Sequence, residues 1–280
     1  MTKSVRGVLA LIVGAVLFSV MSSVLLAVSI LTLGLARPLL VHAPMWMGKA
    51  MVAIMYRGIL GMRIDVPPPA VRRRGEQVIG MANHPTLPIA MILGAYFEPL
   101  AGVPLVFVGK RELLTNPITG PFIGWPLLVS GLGIFISRSK GNRSVEKIRR
   151  TVQGVVRRGC GLGILPDMSR PTPSAIAKDQ EKFEGEVSDL QDFRYTLVPR
   201  DGGVFACWDG MQHPRLIDVT LTCSVPAAYW SDIFGMVGAT CTLTAKDVSS
   251  EVPSGTQERR AWLLRLWREK NVTLAVARGE

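Results

Sequence analysis

The sequence predicts an α/β fold: a central, mostly parallel sheet flanked by helices, with an N-terminal hydrophobic membrane-anchoring helical segment. From Gln77 onward, short apolar runs alternate with stretches of helical periodicity, the pattern of strands joined by crossover helices. Before that point, residues 7–36 contain no charged side chain. A chain of 280 residues is long enough for one α/β domain and a membrane element.

The uncharged run of residues 7–36 is the first predicted element. At 1.5 Å per residue, a helix of this length rises about 45 Å, which exceeds the hydrocarbon core of a bilayer. One tilted spanning helix fits this length, and so does a tight helical hairpin that breaks near Ser22-Ser23. A cleaved signal peptide is the alternative, but its apolar region is normally much shorter and ends at a small-residue cleavage site.

Residues 43–60 form the second predicted element, rich in Met and Ile but carrying Lys49 and Arg57. This pattern indicates either an amphipathic helix at the membrane interface or an ordinary core helix. Pro67-Pro68-Pro69 then makes a rigid turn, so we predict membrane-anchoring helices over residues 1–62 and a globular domain over 75–280. Basic residues around the anchor place that domain on the cytoplasmic face. They are Lys3, Arg6, Arg37 and Arg72-Arg73-Arg74.

The globular part is predicted to alternate strands and helices. The predicted strands are Val78–Met81, Leu105–Val108, Ile134–Ile136, Gly163–Leu165, Thr196–Val198 and Leu216–Cys223. The predicted helices are Leu87–Phe97, Val145–Val156, Ser174–Phe183 and Thr256–Lys270. Polar residues follow several of these strands, and ligands of α/β proteins bind at the carboxyl edge of the sheet.

The net charge of +11 indicates a polyanionic partner. An anionic membrane surface and a nucleic acid both meet that description. The apolar N-terminus and the scarcity of aromatic residues in the basic stretches favour the membrane. We therefore expect membrane lipids as partners and no nucleic acid.

The cysteines show neither close pairing nor the spacing of metal ligands. With only three histidines in the chain, a Cys/His zinc site is not expected. We predict reduced core residues at all four positions. These are Cys160, Cys207, Cys223 and Cys241.

His84 is the first candidate for chemistry. It comes directly after the predicted buried strand, and Pro85 ends that strand. A histidine on a loop at a strand end is well placed for proton transfer near neutral pH. A structural role is the alternative for a lone histidine.

Three further strand ends carry polar side chains. An arginine after residues 134–136 would grip a phosphate bidentately, and a solvated basic turn is the alternative. The loop after residues 163–165 carries an acid and a base, and an ion pair between them that only stabilises the turn is the alternative. A further arginine follows residues 196–198. The side chains concerned are Arg138, Asp167, Ser169, Arg170 and Arg200.

Together these stretches resemble the glycerolipid acyltransferase family, which includes 1-acylglycerol-3-phosphate and lysophospholipid acyltransferases. The family motif Asn-His-x4-Asp is matched by Asn83-His84, but Ile89 stands in the place of the Asp. The Gly-x-x-Phe-Ile-x-Arg block is matched through Phe135-Ile136 and Arg138. The Phe-Pro-Glu-Gly-Thr-Arg block appears as Leu-Pro-Asp-Met-Ser-Arg at residues 165–170.

Three more matches resemble a eukaryote-like subgroup, so the resemblance covers roughly residues 82–274. They are Pro199-Arg200-Asp201-Gly202-Gly203, Asp218-Val219-Thr220, and a helix with Trp262-Leu263, Trp267 and Lys270.

The resemblance implies transfer of a fatty acyl group from acyl-CoA, or acyl carrier protein, to the hydroxyl of a lysophospholipid in phospholipid metabolism. His84 would be the general base, and Arg138 would bind the acceptor phosphate with Arg170 close to it. Asp167 would orient that site, and Ser169 and Arg200 would complete the substrate-binding set. No metal or organic cofactor is implied.

Ile89 is the departure that matters, because an alkyl side chain cannot accept the Nδ1 proton of His84 as a carboxylate would. Another acceptor would then have to orient the imidazole: a backbone carbonyl, or a remote acid. The remote acids considered are Glu98, Asp201 and Asp209. The alternative is a catalytically impaired family member that acts as a lipid-binding protein at the membrane surface.

Overall fold

A seven-stranded sheet forms the centre of the computed structural model. The structure describes residues 1–32, 35–71, 75–84, 86, 89–117, 120–137, 141–212, 214–226 and 229–280, without the side chains of 37–38, 141–144 and 230. The strands are β1 Arg63–Asp65, β2 Val78–Ala82, β3 Leu105–Lys110, β4 Gly133–Ile136, β5 Gly161–Ile164, β6 Arg215–Cys223 and β7 Thr240–Asp247.

The strands lie in the order β1-β7-β6-β2-β5-β3-β4. Within the described part of the chain, β6 and β7 pair antiparallel and every other neighbouring pair is parallel. The predicted α/β fold with a mostly parallel sheet is therefore confirmed. β2 occupies the centre and is buried at all its positions, as expected of a parallel strand covered on both faces.

Helices cover both faces of the sheet. They are α1 Lys3–Leu31, α2 Arg37–Leu40, α3 Ala43–Met51, α4 Ala90–Ala101, α5 Glu112–Thr115, α6 Trp125–Val129, α7 Gly141–Arg157, α8 Pro173–Phe183, α9 Asp201–Asp209 and α10 Thr256–Arg278. π-helical segments at Val52–Ile59 and Gly120–Gly124 adjoin α3 and α6. The predicted helices all appear, the first beginning at Ala90 and the last extending to Arg278.

Residues 196–198 are not a strand, so that prediction was wrong. Side chains from helices replace a neighbouring strand as the partners of this backbone. The Val198 N–H donates to Asp179 Oδ2 at 2.8 Å, and the Thr196 N–H donates to Asn271 Oδ1 at 3.2 Å. Asp201-Gly202-Gly203, which follow in the sequence, form the first turn of α9.

The sheet buries an apolar layer on each face, because successive strand residues point to opposite sides. Val78 and Ala82 of β2 contact the layer formed by α3, α4 and the inner face of β6. Ile79 and Met81 contact the opposite layer, beneath α7, α9 and α10. All four cysteines are buried and free, as predicted.

One face of residues 43–60 packs on the sheet, as a core helix would, and the interfacial interpretation stays a prediction for the other face, where Trp46 and Ile54 are nearly half exposed. Met51, Val52, Met55 and Tyr56 of this segment belong to the same buried layer as β6. The division into residues 1–62 and 75–280 stays a prediction, and this buried layer runs across it.

α1 lies along the protein with one face packed against it. A Cβ at Gly7 would come within 2.3 Å of the Phe234 ring, and one at Gly14 within 2.5 Å of Met55 Sδ, so small residues permit the close approach. The helix runs without interruption from Lys3 to Leu31, so a hairpin breaking near residues 22–23 is wrong. Among the described residues it is the one helix long and apolar enough to cross a membrane.

Candidate active site

Asn83 anchors the carboxyl end of β2 to β6. Its Nδ2 donates to the Leu221 carbonyl at 3.0 Å, and its Oδ1 accepts from the Leu221 N–H at 2.9 Å. The side chain therefore replaces one more pair of backbone hydrogen bonds between the parallel strands β2 and β6. It is 5% exposed. His84, the next residue, leaves the sheet from a fixed point.

Asp167 ties three elements together at the same edge of the sheet. Because β5 lies beside β2, the loop after β5 meets the loop after β2. Asp167 Oδ2 accepts the backbone N–H of His84 at 3.1 Å, and Oδ1 accepts the indole N–H of Trp267 at 2.7 Å. The carboxyl group thus holds the main chain of His84 against α10.

Burial raises the pKa of Asp167 to about 7, because a charge there is removed from water. The N–H groups of His84 and Trp267 lower the pKa, and so does the charge of Lys270, but burial is the larger effect. The group therefore changes charge within the range in which proteins are usually assayed.

Stability is expected to fall as the pH rises from about 4 to 7, because folded Asp167 binds its proton more tightly than the unfolded chain does. Across that window the group costs up to about 4 kcal/mol. Asp167→Asn should remove this part of the pH dependence, measured by urea unfolding at several pH values. Asp65→Asn, at a partly exposed aspartate, should keep it. If the unfolding free energy of Asp167→Asn fell with pH as steeply as that of wild type, Asp167 would not be the source of the pH dependence.

The other predicted substrate-binding residues fall into different settings. The guanidinium of Arg200 forms an ion pair with Asp179 and stacks on the Phe183 ring, 4.0 Å from its centroid. Its backbone N–H donates to the Pro166 carbonyl at 3.0 Å, so Arg200 fixes the loop that carries Asp167. Ser169 is half-buried and Arg170 is exposed in that loop. The binding roles of these residues stay predictions.

Arg138 lies outside the described residues. The strand before it, β4, forms the edge of the sheet, three positions from β2 in the strand order. At the usual spacing of neighbouring strands, the ends of β4 and β2 are about 14 Å apart. The strand end on the other side of β2 belongs to β6, which lies directly beside it.

Ile89 is 6% exposed and lines the same cleft as His84. With Ile89 in place of the family's Asp, a backbone carbonyl or a remote acid would have to orient His84, but two of the three remote acids have other partners. The Glu98 carboxylate contacts His42 Nδ1 at 2.5 Å, and Asp209 pairs with Arg149 and Arg259. Asp201 begins α9 and stays a prediction.

The cleft at His84 is small, with a free volume of about 30 Å³, and it opens to solvent. Its lining combines apolar side chains with polar groups from four separate segments of the chain. The lining residues are Asn83, His84, Thr86, Ile89, Pro171, Tyr195, Leu221, Cys223, Val225, Leu274 and Arg278. The lining is therefore mixed in character, with polar and apolar side chains beside the histidine.

α10 contributes a buried polar face that was only partly visible in the sequence. Lys270 is 3% exposed, and its Nζ contacts Asp218 Oδ1 at 2.8 Å and donates to Thr220 Oγ1 at 2.7 Å. The motif spacing placed Trp267 and Lys270 on one side of a helix, but nothing in it indicated which strand they would meet. Arg278 gave no sequence signal at all.

Comparison with family models and with curated proteins gives no match. A comparison of structures does. The chain is similar to the 1-acyl-sn-glycerophosphate (LPA) acyltransferase PlsC from Thermotoga maritima, with a TM-score of 0.58 over 97% of each chain and 13% sequence identity. The two chains share one fold. The agreement extends to the mostly parallel sheet, its flanking helices and the N-terminal apolar helix.

Proposed function

We propose that the protein transfers a fatty acyl group from acyl-CoA, or acyl carrier protein, to the hydroxyl of a lysophospholipid such as 1-acylglycerol-3-phosphate. The observation that carries the proposal is the position of His84. Its backbone is held by Asp167 at the end of the central strand, beside a cleft lined by both polar and apolar residues. The shared fold with an LPA acyltransferase supports it.

His84 acts as general base in this proposal. Its imidazole takes the proton of the acceptor hydroxyl while that oxygen attacks the thioester carbonyl. The new C–O ester bond forms as the C–S bond breaks, and the departing thiolate takes the proton from the imidazolium. The chemistry uses no metal and no organic cofactor. Asp167 acts one step away, because it positions the main chain of His84.

α1 supplies membrane attachment in this proposal. Apolar side chains on its outer face are 48% to 58% exposed, namely Val8, Ile12, Val16, Val20 and Val24. Trp125 and Leu128 of the adjoining α6 are also nearly half exposed. Continuous apolar surface of this extent marks a membrane or protein contact, and a net charge of +11 favours an anionic lipid surface on the cytoplasmic side.

A lipid-binding protein without turnover is the second candidate. Ile89 favours it, because this apolar side chain lines the cleft where the family motif has its carboxylate. Such a protein would keep the cleft and the membrane contact and would bind lysophospholipid without converting it.

A product assay separates the two candidates. Purified full-length protein in mixed micelles is given lysophosphatidic acid with acyl-CoA, or with acyl carrier protein as donor. We expect phosphatidic acid and one equivalent of free thiol for each acyl group transferred. Saturable binding of lysophosphatidic acid without either product would establish the lipid-binding protein instead.

Ile89→Asp should raise kcat at least tenfold, because a carboxylate at position 89 would accept the Nδ1 proton of His84 and fix its tautomer. Burying the carboxylate also lowers stability, so turnover is normalised to the folded fraction. Ile89→Asn is the matched control: it introduces a similar polar cost without a charged acceptor and should gain little. A gain that persists when His84 is also replaced by alanine would contradict the explanation.

A further inference from the structure

Two buried polar atoms in the cleft at His84 have no hydrogen-bond partner among the residues that the structure describes. They are Thr86 Oγ1 and Arg278 Nε. Buried polar groups are nearly always paired, since an unpaired one forfeits its hydration without compensation. Two such atoms on separate segments that line one cleft indicate a ligand that accepts hydrogen bonds from both.

Arg278 is held ready for such a ligand. Its guanidinium lies over the Tyr195 ring, 4.5 Å from the centroid. The Tyr195 hydroxyl donates a hydrogen bond to the Glu280 carboxylate. Stacking fixes the plane of the guanidinium without using its N–H donors. Arg278 forms no ion pair with the described residues, whereas the partly buried Arg200 and Arg215, which also carry an unpaired N–H, each form one or more.

The electrostatics of the cleft agree with this arrangement. Hydrogen bonds with Cys241 and with the Val225 backbone lower the pKa of Cys223, and the positive charge of Arg278 lowers it further. Leu274 lies one helical turn before Arg278, and Ile89 and Val225 also line the cleft, so an apolar wall adjoins the cation. An anionic head with an apolar tail fits both parts.

We propose that Arg278 and Thr86 form a phosphate-binding subsite beside His84. The inference rests on the proposed acyl transfer for its role, and the phosphate belongs either to the lysophospholipid acceptor or to the acyl donor. The guanidinium supplies a fixed cation and N–H donors, and the hydroxyl of Thr86 supplies one more donor. Because both line one cleft with His84, a phosphate bound here brings its own molecule to the general base.

Binding is tested first, without reference to turnover. Dodecyl phosphate and uncharged monoacylglycerol are titrated into the full-length protein in neutral detergent and followed by calorimetry. Arg278→Gln should weaken dodecyl phosphate binding at least tenfold and Thr86→Val about threefold or more, as expected for hydrogen bonds to a charged group. Neither should alter monoacylglycerol binding. Arg265→Gln, at an exposed position of α10, is the control and should match wild type.

Kinetics then identify which substrate carries the phosphate. A raised KM for lysophosphatidic acid alone in Arg278→Gln assigns the subsite to the acceptor, and a raised KM for acyl-CoA alone assigns it to the donor. Unchanged dodecyl phosphate binding in Arg278→Gln overturns the subsite, even if acyl transfer is observed. Arg278-dependent binding without product leaves the subsite standing and overturns the proposed function.

Discussion

His84→Ala is expected to lower kcat for acyl transfer by about 10²- to 10⁴-fold, the contribution typical of a general base. The loss follows from the proposed role of the imidazole, since alanine cannot take the hydroxyl proton. The fold should persist, because Asp167 accepts the backbone N–H of residue 84, which alanine retains. Product formation and the urea midpoint are measured on the same preparation.

His42→Ala is the matched control. His42 is also a partly exposed histidine, but it precedes α3 and contacts Glu98. Its replacement should leave kcat within a few-fold of wild type. If His84→Ala retained wild-type kcat, the general-base role would be excluded. If both variants lost activity in proportion to their unfolded fraction, the effect of His84 would be structural.

Lys270→Met is expected to cost about 3–5 kcal/mol of unfolding free energy, because it leaves Asp218 buried without its counter-charge. Both side chains are at least nine-tenths buried, so solvent cannot compensate for the lost partner. Urea unfolding monitored by tryptophan fluorescence measures the change. The unfolding free energy should fall, while kcat per folded molecule should change less.

Two comparisons identify the cause. Lys246→Met removes an exposed lysine paired with Glu251, and it should change stability little because solvent already screens that pair. Asp218→Leu combined with Lys270→Met should recover most of the loss, since replacing both members by apolar groups removes the uncompensated charge. A double variant as unstable as Lys270→Met would show that packing, rather than charge, accounts for the cost.

The spacing of apolar residues and the composition of the chain were sufficient to predict most of the fold. The apolar runs at β2, β3, β4, β5 and β6 are short and bounded by turn residues, so they could be located without their partners. β7 was missed because it alternates small polar and apolar residues and is half exposed. For residues 196–198 the error was the reverse, because a strand was predicted where none forms. Their apolar run is buried, but side chains of Asp179 and Asn271 accept hydrogen bonds from its backbone.

The candidate site divides in the same way. His84 and the acid and base of the loop after β5 were visible, because residues that follow parallel strands meet at one edge of the sheet. Trp267 and Arg278 come from a helix about a hundred residues farther along the chain, and a helical pattern does not specify which strand it will cover.

The sequence by itself determined the α/β class, the apolar N-terminal helix and the position of His84 at a strand end, since these depend on local periodicity and on where strands stop. Only the tertiary structure decided how His84 is held and what lines its cleft. Asp167, Trp267 and Arg278 reach that place through strand order and helix packing. Those contacts join distant parts of the chain, and no local pattern records them.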